Sequence, residues 1–333
     1  MGTVSSGAKC MDFILKNHIS LHPGMKRIAN TVVLEVQKVF KGISSTFYIE
    51  SPLLGLGFAI LVAVVNWQMA LMGLGAAVIS HAVRFSLCRD KVLLQSGLFA
   101  LNGWFLGLSM VFLFEPSAYL WGTLIPMAVF NAWMTVAAHK LLKAFDLPIL
   151  VLPYLLAVWM FVLFVQSSGV VTFRDLAVGL VGGEQGVLTG VQSYLIGFGQ
   201  IFFMENAFAG AGLIALLALF QKPLDTLKVA GVAAFALMFA KLIGVPQWQL
   251  SGGLPLFSAA LLCQGNLRAC LRGNFWVVAV VAVLLSGFLE AVSLRWGSVV
   301  GLPGLSLSYI LLAWLTQLTA QNEVRTVQHW ARL

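Results

Sequence analysis

Apolar residues run along this chain in long unbroken stretches, not in alternation. After a polar opening over 1–27 they fall at about 28–50, 53–66, 68–88, 94–114, 118–142 and 147–166. Beyond an interruption at 167–188 they resume at about 189–205, 207–221, 226–244, 250–266, 274–294 and 302–320, and a polar tail closes the chain at 321–333. Runs of this kind predict helices that cross a bilayer, for which about 20 apolar residues suffice. A membrane β-barrel would alternate apolar and polar positions. The first break, Glu50-Ser51-Pro52, reads as a helix end and a new start, with Ser51 as cap and Pro52 in the first turn.

Composition sharpens this picture. Of 333 residues 60% are hydrophobic and 10% are charged, against about 25% charged in an ordinary soluble domain. That excludes a soluble globular enzyme and a disordered chain. The net charge of +8, from 20 Lys+Arg against 12 Asp+Glu, is spread thinly between apolar runs. No basic stripe interleaved with aromatics points to nucleic acid. The four cysteines (Cys10, Cys88, Cys263, Cys270) have no CxxC spacing and read as apolar filler. Residues 1–27 lack the apolar core and small-residue site of a cleavable signal, so insertion is expected to use the transmembrane helices themselves.

Two segments, 94–114 and 250–266, are interrupted by Gly97, Asn102, Gly103 and Gly107, and by Gly252, Gly253, Pro255 and Ser258. Such interruptions predict re-entrant half-helices, tolerated at membrane depth only where they line a cavity or are buried in protein.

The two halves repeat at an offset of about 155 residues. FYIESPLLG, ending at Gly55, matches FFMENAFAG, ending at Gly210, at Phe47/Phe202, Glu50/Glu205 and Gly55/Gly210. LPILVLPYLLAVW from Leu147 matches LPGLSLSYILLAW from Leu302, with Tyr154/Tyr309 and Trp159/Trp314 in step. GLFALNGWFLG from Gly97 aligns with GLPLFSAALLC from Gly253. Five full spans per half would start the second copy on the opposite side of the membrane. The expected fold is therefore an all-α polytopic membrane protein: two inverted repeats, 28–166 and 189–320, each of five transmembrane helices plus one re-entrant half-helix, joined by a linker at 167–188. Inverted copies place a site near the midplane at their interface, which argues for transport over catalysis.

These paired blocks resemble those of the urea transporter family. Its LPxxTxPFxxxxW motif is echoed by Leu147-Pro148…Pro153-Tyr154…Trp159 and Leu302-Pro303…Ser308-Tyr309…Trp314, its Gly-x-x-Gln block by Gly42–Ser45 and Gly197–Gln200, and its re-entrant block by Gly97–Asn102 and Gly253–Ser258. The resemblance covers about residues 38–320. It implies a channel-like facilitator that passes urea or a similar small neutral amide down its gradient, a homotrimer with one pore per protomer, and no cofactor. It also implies aromatic slots that sandwich the flat solute and a ladder of oxygens between them. Carried onto this chain, Ser306 and Gln200 are the hydrogen-bonding candidates. Phe105, Phe257, Tyr48, Phe203, Leu101 and Leu261 are the slot candidates. The chain departs from the pattern where the motif threonine becomes Val151 and Ser306, where Ser45 replaces the first glutamine, and where Ser258 replaces the second re-entrant asparagine. Val151 cannot accept a hydrogen bond, so one side of the ladder loses a side-chain oxygen.

Bland readings compete with several of these. Ser306 can bond its own helix carbonyl. Trp159 and Trp314 read first as packing or interfacial residues. Glu50 and Glu205, at helix breaks, read first as caps for the next helix; the alternative is a proton-coupled secondary transporter that uses them. His81 and His139 are 58 apart and so are not repeat-matched. No nucleophile triad, metal-ligand set or phosphate-binding loop is visible, and Gly182-Gly183-Glu184 reads as plain loop. Lys9, Lys16, Lys26, Arg27, Arg325 and Arg332 favour cytoplasmic termini in an inner (plasma) membrane, with Lys140 and Lys143 also inside and Arg89 and Lys91 against the rule.

Overall fold

The computed structural model describes residues 23–174, 190–245, 250, 252–265, 280, 283–289, 292 and 301–330. Cys10, Cys270, the Gly182–Glu184 loop, most of the 167–188 linker and most of the apolar stretch 274–294 lie outside the described residues. The chain divides into two units, Met1–Lys38 and Val39–Leu333. The described part of the first is the amphipathic start of helix α1 (Pro23–Ser44). There Lys38 Nζ pairs with Glu35 one turn earlier, at 2.7 Å.

The second unit is all-helical among its described residues; the only β pairing there is an isolated antiparallel bridge between Phe114 and Phe173. After α1 a 3₁₀ turn (Ser45–Phe47) leads to α2 (Pro52–Val65), α3 (Trp67–Leu87), α4 (Lys91–Gln95), α5 (Leu98–Leu113), α6 (Ala118–Gly122), α7 (Leu124–Lys143) and α8 (Leu152–Ser168). Beyond the linker come α9 (Gly190–Gly199), a second 3₁₀ turn (Gln200–Phe202), α10 (Ala207–Phe220), α11 (Pro223–Leu242), α12 (Leu254–Gln264) and α13 (Leu307–Trp330).

Among the described residues, only α3 and α11 are singly long and apolar enough to cross a membrane; the α1–α2 and α9–α10 pairs pass that test when each is taken as one broken span. The second pair bends by 74° at its break. Both breaks are built alike. Tyr48 (φ 56°) and Phe203 (φ 59°) close the 3₁₀ turns in left-handed geometry. The following helix is capped by Ser51, whose Oγ accepts from the Leu54 N–H at 3.4 Å, or by Asn206, whose Oδ1 accepts from the Phe208 N–H at 2.7 Å. The caps are therefore Ser51 and Asn206. Glu50 and Glu205, expected to cap, stand exposed one residue earlier, because the cap position needs a short side chain that can fold back onto its own helix.

Of the four residues expected to interrupt the segment 94–114, only the first does. Its break is at Gly97, which caps α5 at φ 72°. Asn102, Gly103 and Gly107 lie inside a continuous helix of 16 residues. Their smallness serves packing instead. A Cβ on Gly103 would lie 2.5 Å from the Ala76 carbonyl oxygen, and one on Gly107 2.3 Å from that of Met72, so α5 and α3 cross with backbones in contact. At about 1.5 Å per residue α5 is roughly 24 Å long, short of the about 30 Å apolar core of a bilayer. Its partner segment holds α12, of 11 residues, capped by Gly253 at φ 64°.

Three further boundaries differ from expectation. The stretch 118–142 is divided at Thr123 between α6 and α7, with Ser117 capping α6. The Leu-Pro segments begin as turns, so α8 starts at Leu152 and α13 at Leu307. The polar tail does not leave the helix: α13 runs on to Trp330, since polar straight-chain residues are good helix formers.

Candidate functional site

The two Leu-Pro turns are held by paired hydrogen bonds. Trp159 Nε1 on α8 donates to the Pro303 carbonyl at 2.8 Å, and Trp314 Nε1 on α13 donates to the Pro148 carbonyl at 2.9 Å. Each tryptophan thus fixes the turn of the other half, which is a packing role. In the first turn Asn102 is the brace. It is fully buried, donates to the Leu98 and Leu150 carbonyls at 3.0 and 3.1 Å, and accepts the Tyr154 N–H at 3.2 Å. Near the second turn Ser258 and Ser308 pair their hydroxyls at 3.0 Å.

These turns wall a cavity of about 640 Å³. All ten residues singled out from the sequence line it: Ser45, Gln200, Val151, Ser306, Tyr48, Phe203, Leu101, Phe105, Phe257 and Leu261. Phe105 stacks on Tyr154 with ring centroids 5.3 Å apart and planes 25° off parallel, and meets Phe203 edge-on at 6.2 Å. Leu101 is one helical turn away on α5, while Phe257 and Leu261 sit on α12. Behind them Phe202 gathers Phe47, Phe58, Trp104 and Phe105 within 6.2 Å.

The polar groups are few. Ser306 Oγ is 2.5 Å from the Tyr154 hydroxyl. Tyr309, in Tyr154's place on α13, has its hydroxyl 2.5 Å from that of Tyr48. Ser45 Oγ is bound to the Gly42 carbonyl of its own helix at 2.6 Å. Gln200 lines the cavity and is buried. Val151 offers a methyl surface where Ser306 offers a hydroxyl. Of the two repeat-matched acids, Glu205 borders the cavity.

Sequence reading missed several lining groups. Leu150 (φ 52°) and Leu305 (φ 41°) line the cavity in left-handed geometry, as do Tyr48 and Phe203. Four of the five described non-glycine residues with positive φ are therefore at this site. Bulky residues held so cost about 1–3 kcal/mol each and cluster where function over-determines the backbone. No side-chain pattern announces this strain; only the 155-residue repeat of Tyr48/Phe203 and Leu150/Leu305 hints at it. His139 and Ser96 border one end of the cavity. There Asp90 caps α4 through the Val92 and Leu93 N–H groups at 2.9 and 3.4 Å, and its other oxygen lies 3.3 Å from His139 Nε2 and 3.8 Å from Lys143 Nζ. The His139 bond, then these N–H groups and then Lys143 hold the Asp90 carboxyl below its usual range.

Apolar helices of spanning length and an aromatic-walled cavity with sparse hydroxyls define a membrane protein with an internal chamber. The urea transporter family matches residues 36–321, and the chain belongs to that family. It is 25% identical over 308 residues to the Urea transporter 1 of Ovis aries, covering 86% of this chain and 78% of that one. It is 25% identical over 325 residues to the Urea transporter 1 of Mus musculus, with 90% and 82% covered, and 24% identical over the same length to that of Rattus norvegicus. The family is one of transporters, not enzymes.

Proposed function

We propose that this chain is a facilitative channel that passes urea down its gradient through the cavity between the two Leu-Pro turns. The observation that carries the reading is the Ser306 hydroxyl, oriented by Tyr154 behind it, beside the edge-on rings of Phe105 and Phe203 in a mostly apolar chamber. Urea is planar, neutral and strongly hydrated. A narrow path must return some of the hydrogen bonds it loses to water, and flat rings supply contact without a deep trap. A neutral solute needs no coupled ion. The channel sits as two inverted repeats in the inner membrane, with both termini cytoplasmic and three protomers to the assembly. Ser306 and Gln200 bond the solute; Phe105, Phe203, Tyr48, Phe257, Leu101 and Leu261 form its slots; Ser45 and Val151 complete the wall.

The test is stopped-flow light scattering of proteoliposomes under an inward urea gradient. Swelling at least several-fold faster than in protein-free vesicles is expected, and equal rates would end the proposal.

A second reading has one observation in its favour. Glu205 borders the cavity and is exposed, which is where a proton carrier would stand. Proton coupling requires urea uptake that follows an imposed pH gradient and collapses in Glu205→Gln. For the channel we expect the same flux with and without the gradient, and a Glu205→Gln rate within about two-fold of wild type.

A further inference from the structure

At one pair of matched positions the cavity is lined by a hydroxyl in one half and by methyl groups in the other. Ser306 and Val151 stand 155 residues apart, each just before the helix of its Leu-Pro turn, and both line the cavity. A hydroxyl has one donor and two acceptor sites. The bond to Tyr154 uses one of Ser306's three, so two remain for other partners. On the other side Val151 has none. In the other half the matching Tyr309 hydroxyl pairs with that of Tyr48. The two halves have thus diverged in hydrogen-bonding capacity while keeping the same backbone, down to the left-handed Leu150 and Leu305 that precede these residues.

A symmetric solute suits a symmetric site. Urea carries an NH₂ group on both sides of its carbonyl. An NH₂ that meets Ser306 finds a hydroxyl, whereas one that meets Val151 finds no side-chain partner there. An NH₂ left so pays its full desolvation cost, equivalent to about ten-fold or more in rate. Replacing that NH₂ by a methyl group keeps the shape and removes the penalty, because the methyl gains by leaving water for an apolar wall.

We propose that Val151 makes this cavity selective for short primary amides with one apolar end, of which acetamide is the smallest isostere of urea, and that Val151 is the residue that sets the preference. The proposal rests on the reading of the cavity as the solute path. Val151→Thr is the discriminating variant because it exchanges a methyl for a hydroxyl at nearly constant volume.

The experiment measures acetamide and urea permeability in the same proteoliposomes, each after subtraction of the protein-free rate. Wild type should give an acetamide-to-urea ratio above one, a readout that needs no variant to fold. In Val151→Thr the ratio should fall by about five- to ten-fold, mainly through faster urea. In Ser306→Ala both solutes should slow and the ratio should rise. Urea flux with a wild-type ratio below one, or with a ratio that Val151→Thr leaves unchanged, would overturn the selectivity proposal and leave the urea path standing. Flux of neither solute would overturn both.

Discussion

Ser306 and Tyr154 show how little polar chemistry the cavity contains and how it is held. The tyrosine ring is fixed by its stack on Phe105 and its hydroxyl by Ser306, so the two side chains orient each other. Tyr154→Phe keeps the stack and removes the bond. A typical hydrogen bond contributes about 0.5–1.5 kcal/mol net, so thermal unfolding of the detergent-solubilised variant should show a loss of about 1 kcal/mol, with urea flux altered because Ser306 is no longer held. An unchanged midpoint would mean the pair adds nothing. Asp90 is the residue whose charge the surroundings favour most plainly. Its carboxyl is held below its ordinary value of 3.8 by His139 first, then by the α4 N–H groups and Lys143. A depressed carboxyl adds stability that is fully present above the unfolded value and is lost as pH falls through the folded one. Asp90→Asn keeps a capping oxygen but has no charge to lose. The wild-type advantage over Asp90→Asn in melting temperature should therefore hold at neutral pH and shrink as pH falls below 3.8. Parallel melting curves for the two proteins from pH 7 to acid would contradict the assignment.

At the scale of elements, the chain was legible wherever a break in apolarity coincided with capping chemistry. The start of α2 at Ser51-Pro52 could be read from such punctuation, and α3, α10 and α11 from their apolar runs. The candidates carried over from the family resemblance, from Ser45 to Ser306, all line one cavity. What could not be read depends on contacts distant in sequence. Gly103 and Gly107 look like helix breakers in a string of letters, yet they are the surface on which α3 lies. Leu147–Val151 looks apolar enough to be helix, yet it is a turn because Asn102 takes the Leu150 carbonyl and the Tyr154 N–H from outside. Asn102→Leu tests that brace. It strands a buried carbonyl and a buried N–H, each worth about 1–3 kcal/mol. The variant should lose about 2 kcal/mol or more and lose urea flux with it, measured by unfolding and by stopped flow. Retained flux at wild-type stability would show that the turn forms without the brace.

Across the second unit as a whole, contacts come in reciprocal pairs at the repeat offset. Trp159 bonds the Pro303 carbonyl, and Trp314 bonds that of Pro148. A Cβ on Gly57 would lie 3.1 Å from Leu216, and one on Gly212 2.7 Å from Leu61. Within each copy the contacts match as well: Gly55 is pressed to the Phe40 carbonyl oxygen, 1.9 Å from where a Cβ would stand, and Gly210 to that of Leu195, at 1.7 Å. When residue i of one copy touches j of the other and the equivalents touch in return, the copies are related by a two-fold axis. Reciprocity alone leaves the axis free to run along the membrane normal or in its plane. An odd number of spans per copy requires the plane, and then matched residues lie on opposite faces of the membrane. Glu50 and Glu205 serve as the probes, being repeat-matched and exposed. In a background with the four native cysteines replaced, Glu50→Cys and Glu205→Cys should react with a membrane-impermeant maleimide from opposite sides of sealed vesicles of known orientation. Labelling of both from one side would put the axis along the normal, make the repeats parallel, and remove the basis for a midplane site shared between mirrored halves.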